Sequence, residues 1–345
     1  MKKWTLVIII LLLIWNLFLS FYFFFERQSD KDIPKINVMH GINSEKADVT
    51  KLTNQVHSAI VQVHVTGAFG NKRASGFIVE QAKNSLKIVT VASVLEDNEK
   101  ISVTFDSGAM VEAELINKSK EANVALLKVN VPFQVIPLQL AKEKSYQLGK
   151  MVIALGARQI MSGSACISSG VMSNRLQYSL SVKDSWRMNI IQSDTMVQKD
   201  MYGGVILDGT GTILGMIIDP PYGQSASFSY AIASFELAEI INQLGQKKAL
   251  HRGNLGLIVR NVAELYSYEK SFRNLKLDNN KGVLVMASSD NSEFLAGDVI
   301  TKIDKTKIDT ITDYIKFAYQ HQSGDKVTVT LERNGQEMTL AVKMK

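Results

Sequence analysis

The sequence predicts a mainly β protein in three parts: an N-terminal transmembrane helix, a long β-rich domain, and a smaller C-terminal α+β domain. Three observations carry this. An uncharged apolar run extends from Trp4 to Phe25. Short β-branched runs then recur at close spacing from Ala59 to Ile218. After His251, strand-like runs alternate with a helix-like segment. A chain of 345 residues is long enough for two or three domains and a sizeable core.

Composition narrows the function classes. The net charge of +6 is spread along the chain with no basic stripe, so it reads as surface charge and no nucleic-acid partner is expected. The single cysteine, Cys166, excludes an intramolecular disulfide and argues against a cysteine-based zinc site. Five scattered histidines include no His-x-x-x-His pair, so neither a metal nor a cofactor is expected.

Residues 1–25 form the predicted anchor. About 22 apolar residues at 1.5 Å each cross a hydrocarbon core of about 30 Å. Lys2 and Lys3 precede the run, and Trp4, Trp15 and Tyr22 supply interfacial aromatics, so the N-terminus is expected in the cytoplasm and the bulk outside a cell membrane. The competing reading, a cleaved secretory signal, needs a shorter apolar core and small residues at its end, where this chain has Ser20-Phe-Tyr-Phe-Phe-Phe-Glu26. Residues 26–48 are polar and without sustained period, as suits an extracytoplasmic linker.

Residues 49–247 read as one β domain. Thr50 to Ala59 can form a leading helical segment, and Ala59-Ile-Val-Gln-Val-His-Val-Thr66 alternates with period two. Further strand runs are Gly76–Val79, Lys87–Val91, Lys100–Phe105, Val111–Ile116, Ala125–Val129, Met151–Leu155, Gly170–Ser173, Val205–Leu207 and Ile213–Ile218. Many short strands between turn residues argue for a barrel or sandwich rather than a βαβ sheet. Ser234 to Leu244 closes the domain as a helix, with Ser234 as N-cap and Gly245 just past its end.

The fragments Ala74-Ser-Gly-Phe-Ile-Val79, Ile88-Val-Thr90, Ala125-Leu-Leu-Lys-Val129, Leu148-Gly-Lys-Met-Val-Ile-Ala-Leu-Gly156, Ile191-Gln-Ser-Asp194 and Gly203-Gly204 occur in this order. Together they resemble the HtrA/DegP family of trypsin-fold serine proteases. The resemblance implies a trypsin-like double six-stranded β-barrel followed by a PDZ domain, and homo-oligomers, commonly trimers. It also locates departures. The family's histidine position holds Ser93, its aspartate position Asn123, its nucleophile position Tyr202, and the glycine of its oxyanion hole Asp200. By that comparison the chain has no catalytic residues of the family's kind. Replacing the orienting aspartate by asparagine costs roughly 10⁴ in turnover, and losing the nucleophile on the order of 10⁶.

Substitutes are few. His57 and His64 fall in the leading helix and first strand, His40 in the linker, and His251 and His321 in or near the second domain. A serine–lysine pair of Ser93 with Lys199 is chemically conceivable, since a desolvated lysine can act as base. Two functions follow: a membrane-anchored pseudoprotease that binds peptides or unfolded proteins in envelope protein quality control, or an endopeptidase with a non-standard catalytic set.

Residues 251–345 resemble the family's PDZ domain through His251-Arg-Gly-Asn-Leu-Gly-Leu-Ile-Val259, Lys281–Met286 and Ala296–Ile303. A helix is expected over Thr312–Gln320 with Thr312 as N-cap, and a hairpin over Lys326–Met344 turning at Asn334-Gly335. Such a domain adds a peptide C-terminus as an extra strand. Here the carboxylate loop would be Asn254, Leu255 and Gly256, and the pairing strand Leu257, Ile258 and Val259. The family's small helix is expected to be reduced at Ser288–Leu295.

Overall fold

The computed structural model describes residue 15 and residues 49–67, 70–95, 100–142, 146–158, 165–178, 187–221, 223–247, 249–275, 279–289 and 292–345. The predicted anchor and linker lie outside the described residues, apart from Trp15 and Val49 onward. Among the described residues no helix is long and apolar enough to cross a membrane. Ala47–Lys345 makes one compact unit.

Helix α1 (Val49–Val56) buries Leu52 and Val56 and runs into a 3₁₀ turn, His57–Ala59, as the sequence predicts. Seven strands follow: β1 (Ile60–Gly67), β2 (Gly70–Ala82), β3 (Ser85–Thr90), β4 (Lys100–Thr104), β5 (Met110–Glu112), β6 (Glu114–Ser119) and β7 (Val124–Asn130). They pair antiparallel in the order β5-β4-β1-β2-β3-β7-β6. The expected six-stranded ring is therefore a seven-stranded path with two ends. Its cause is local: the run read as one strand, Val111–Ile116, breaks at buried Ala113, whose N–H donates to the Ile101 carbonyl at 2.9 Å. One half then pairs with β4 and the other with β7.

The second barrel closes as expected. Its strands are β8 (Met151–Arg158), β9 (Ala165–Tyr178), β10 (Met188–Ser193), β11 (Val205–Leu207), β12 (Ile213–Ile218) and β13 (Ser229–Ala233), in the order β10-β13-β12-β11-β8-β9. Every residue of β12 and β13 is buried. Strand β13 went unread because Ser-Tyr-Ala-Ile-Ala has one β-branched residue, and its small side chains suit a crowded interior.

Helix α2 (Ser234–Gly245) starts where predicted, but Ser234 is not its cap. The Ser234 hydroxyl donates to the Ile213 carbonyl and its N–H to the Tyr146 hydroxyl. A buried junction with β12 outcompetes local capping, and Gly245 belongs to the last turn.

The C-terminal domain holds β14 (Leu257–Asn261), α3 (Ser267–Phe272), β15 (Val283–Ser288), β16 (Val299–Ile303), β17 (Thr306–Lys307), α4 (Ile311–Tyr319), β18 (Lys326–Arg333) and β19 (Gln336–Lys343). The sheet runs β14-β15-β16-β18-β19, with β17 on β16. The cap of α4 is Thr310, not Thr312: its hydroxyl accepts the Asp313 N–H, and the Asp313 carboxylate accepts the Thr310 N–H at 2.9 Å. Threonines two apart share the same local signal, and the carboxylate at Asp313 selects the first. The β18–β19 hairpin turns at Asn334 and Gly335, both with positive φ, as a two-residue turn requires. Among residues 292–295 there is no helix, in keeping with the predicted reduction.

Candidate functional site

The floor of the first site is a 3₁₀ turn, Lys199–Met201, followed by Tyr202, Gly203 and Gly204. Gly203 has φ +84°, and a Cβ there would lie 2.1 Å from the Ser75 carbonyl oxygen. Only glycine fits, because both the backbone angle and the space exclude a side chain. Ser75 on β2 clamps the turn: its N–H donates to the Tyr202 carbonyl at 2.9 Å and its hydroxyl to the Asp200 carbonyl at 2.6 Å. The Ser75 hydroxyl also accepts the Ala157 N–H at 2.8 Å, tying the two barrels together.

Three of the positions singled out in the sequence meet here. Ser93 is exposed on a 3₁₀ turn, Ala92–Val94, just after β3. Asn123 precedes β7 in the left-handed region at φ 52°, which asparagine tolerates. The Ser93 N–H donates to Asn123 Oδ1 at 2.8 Å, and Asn123 Nδ2 donates to Asp219 Oδ1 at 3.3 Å. Tyr202 is half-buried and packs on the principal core. Burial, and secondarily the Asp219 carboxylate, push its phenol above the usual tyrosine value. Asp219 was missed from sequence; its signal was a lone charge directly after the wholly apolar run of β12.

The backbone around Tyr202 is equally occupied. Its N–H donates to the Lys199 carbonyl at 3.1 Å and is used within the turn. Asp200, in the same turn, lies near enough to Cys166 that, after burial, its charge is the second cause raising that thiol. Lys199 is exposed. The histidines make their contacts elsewhere: His57 Nε2 with Asp106 at 3.1 Å, His64 Nε2 with Thr104 at 3.0 Å, and His321, which donates from Nδ1 to the Phe317 carbonyl at 2.8 Å. Among the described residues no group of three or more histidine, cysteine or acidic side chains is placed to hold a metal.

The second candidate site is the loop and edge strand from Asn254 to Val259. Strand β14 pairs with β15 on one side and forms the sheet edge on the other. Leu255, Leu257 and Val259 are buried, whereas Ile258, Asn254 and Gly256 are partly exposed. Gly256, at φ +70°, turns the chain, and its N–H donates to Asn254 Oδ1 at 2.7 Å. Beneath this edge the domain meets the barrel through Glu236 in the first turn of α2. Glu236 is fully buried and accepts from Asn189 Nδ2 at 2.6 Å and from the Tyr319 hydroxyl at 2.7 Å. Arg252 Nε lies 3.3 Å from it, an ion-pair contact rather than an aligned hydrogen bond. The sequence carried a sign of Glu236, since it sits four residues before Ile240 and eight before Leu244 on the buried stripe of α2.

Comparison with known proteins agrees with this architecture. Residues 74–216 match the trypsin-like peptidase domain family, and residues 251–344 match the PDZ domain family. The chain is 25% identical over 280 residues to the serine protease Do-like HtrA of Lactobacillus helveticus, covering 78% of this chain and 68% of that protein. It is 26% identical over 288 residues to a serine protease HtrA-like protein of Staphylococcus epidermidis, covering 80% of this chain but only 49% of that longer protein. Among solved structures, the HtrA-type protease AlgW with tripeptide aligns at TM-score 0.55 and 20% identity, over 86% of this chain and 96% of its own. A serine endoprotease from Yersinia pestis aligns at TM-score 0.52 and 18% identity, over 86% and 97%. With a trypsin-like peptidase domain and a PDZ domain in this order, and HtrA proteins as relatives across both, the chain belongs to the HtrA-like family.

Proposed function

We propose that this HtrA-like protein binds peptides or unfolded chains without cleaving them, as a membrane-anchored pseudoprotease serving protein quality control in the cell envelope. The observation that carries the reading is the hydrogen-bond path from Ser93 through Asn123 to Asp219 beside Tyr202. At that place a trypsin-like enzyme needs an imidazole to take a proton from a serine. Here a serine and an amide meet a protonated phenol, and the Tyr202 N–H that would face an oxyanion is bonded to Lys199. Peptide binding is supported by the match to the PDZ domain family, and by the likeness to a protease solved with a tripeptide. The anchor rests on the uncharged run Trp4–Phe25, and assembly into homo-oligomers, trimers in the first instance, on family resemblance.

Purified full-length chain in detergent is expected neither to degrade an unfolded casein nor to label with a serine-directed phosphonate. Labelling that disappears in Ser93→Ala would overturn the reading in favour of an endopeptidase with a non-standard catalytic set. Resistance of the chain to alkaline carbonate extraction from membranes tests the anchor, and mass measurement in detergent tests assembly.

A further inference from the structure

We infer that the peptide groove is held closed by the chain's own side chains, Asn254 within the loop and Gln177 from the barrel, so that a peptide enters only when the PDZ domain moves off the barrel. The inference rests on reading residues 254–259 as the peptide groove.

A peptide added to a sheet edge needs donors of two kinds: loop N–H groups for its carboxylate and outward strand N–H groups for its carbonyls. Both kinds are engaged internally. In the loop, the Gly256 N–H donates to Asn254 Oδ1 at 2.7 Å, so the amide oxygen occupies the position of an incoming carboxylate oxygen. On the strand, the Val259 N–H donates to Gln177 Oε1 at 3.0 Å, where an incoming peptide carbonyl would lie. The space is closed as well. Between β14 and α4 the cavity is about 10 Å³, lined by Gln177, Arg187, Arg252, Leu257, Tyr314 and Ala318. That is at or below the minimum of ~10–15 Å³ that a single water needs.

Gln177 is held in position by a continuous path. Its Nε2 donates to Asn189 Oδ1 at 3.1 Å, Asn189 donates to Glu236, and Glu236 accepts from Tyr319 on the PDZ helix α4. The path leaves the PDZ domain at Val259 and returns to it at Tyr319, crossing β9, β10 and α2 of the barrel. A second tie joins Arg175 on β9 to Glu264, just beyond β14. Such a joint is suited to opening. The side chains of this path are polar, so separation returns Glu236 and Arg252 to water, and hydration offsets much of what their pairing contributes. A bound peptide would replace the two lost bonds at Gly256 and Val259 with bonds of the same kind.

The test uses the full chain in detergent, the variants Gln177→Ala and Asn254→Ala, and a pool of decapeptides with free C-terminal carboxylates randomised over the last four positions. Amide hydrogen exchange gives a readout independent of any peptide. Exchange at Val259 is expected to be slow in the wild type and about tenfold faster in Gln177→Ala, the effect of one hydrogen bond. Retention of the peptide pool is expected to rise by a similar factor in both variants and to vanish with amidated peptides. Unchanged Val259 exchange in Gln177→Ala overturns the closed groove. Equal retention by wild type and variants overturns it too, while leaving the groove assignment standing. No retention by any form, with Val259 exchange accelerated, overturns the groove assignment itself and this inference with it.

Discussion

Asn123 accepts the Ser93 N–H at 2.8 Å, and its own amide nitrogen reaches Asp219 at 3.3 Å. Two residues 30 apart in sequence are thus joined by a hydrogen bond, at positions that the family resemblance assigns to the base and to the carboxylate that orients it. Rebuilding the chemistry tests this placement. Ser93→His, Asn123→Asp and Tyr202→Ser, combined with Asp200→Gly to relieve the oxyanion position, are expected to produce measurable hydrolysis of a fluorogenic peptide. Each single replacement is expected to yield no turnover above background, because triad members act as a unit and their effects are grossly non-additive.

Gly203 is the tightest point of the turn that carries Tyr202. Gly203→Ala puts a methyl 2.1 Å from the Ser75 carbonyl at a backbone angle of +84°. The turn must move, and the clamp from Ser75 to Tyr202 and Asp200 goes with it. Unfolding in urea is expected to show a loss of about 3 kcal/mol, at the upper end for a single substitution with strain as its cause.

Glu236 holds the two domains together from full burial. Glu236→Ala leaves Arg252, whose side chain is 5% exposed, without its compensating charge. Breaking a buried pair from one side costs about 3–5 kcal/mol. Tyr319→Phe removes one neutral donor to the same carboxylate and is expected to cost about 1–2 kcal/mol. The ordering of the two variants by denaturant midpoint checks the assignment.

Four tyrosines set the alkaline limit. Burial raises the phenols of Tyr146, Tyr202 and Tyr319 above the usual value and pushes Tyr314 up to about 12, partly offset by Arg252. In the unfolded chain the same groups lose protons near pH 10. Their contribution is therefore fully present below pH 10, and stability falls as pH rises from 10 through 12. Absorbance at 295 nm is expected to show one class of tyrosines titrating near pH 10 and a second class ionising together with the loss of secondary structure.

Much of the framework was legible in the linear chain because its signals are local. Short β-branched runs between turn residues located most barrel strands, the Asn334-Gly335 pair located the last hairpin, and a glycine pair marked the turn at Tyr202. The misreadings arose where a distant group decided between local options. Ser234 was drawn from capping by the Ile213 carbonyl, and Val111–Ile116 was cut in two by the Ala113–Ile101 bond. Asp219 carried only the signal of a lone charge after the apolar run of β12, and Gln177 sits in a strand whose partner across the domain joint is 82 residues away.

The sequence by itself determined most of the chain of elements and which side chains stand at the positions singled out, since both depend on residue type, spacing and the neighbouring residues. Tertiary structure alone decided which of those side chains meet. It set Ser93, Asn123 and Asp219 in one hydrogen-bonded path, and placed Gln177 across the edge of β14. Contacts between residues tens of positions apart follow from how the sheets curve and dock, and no local period encodes that.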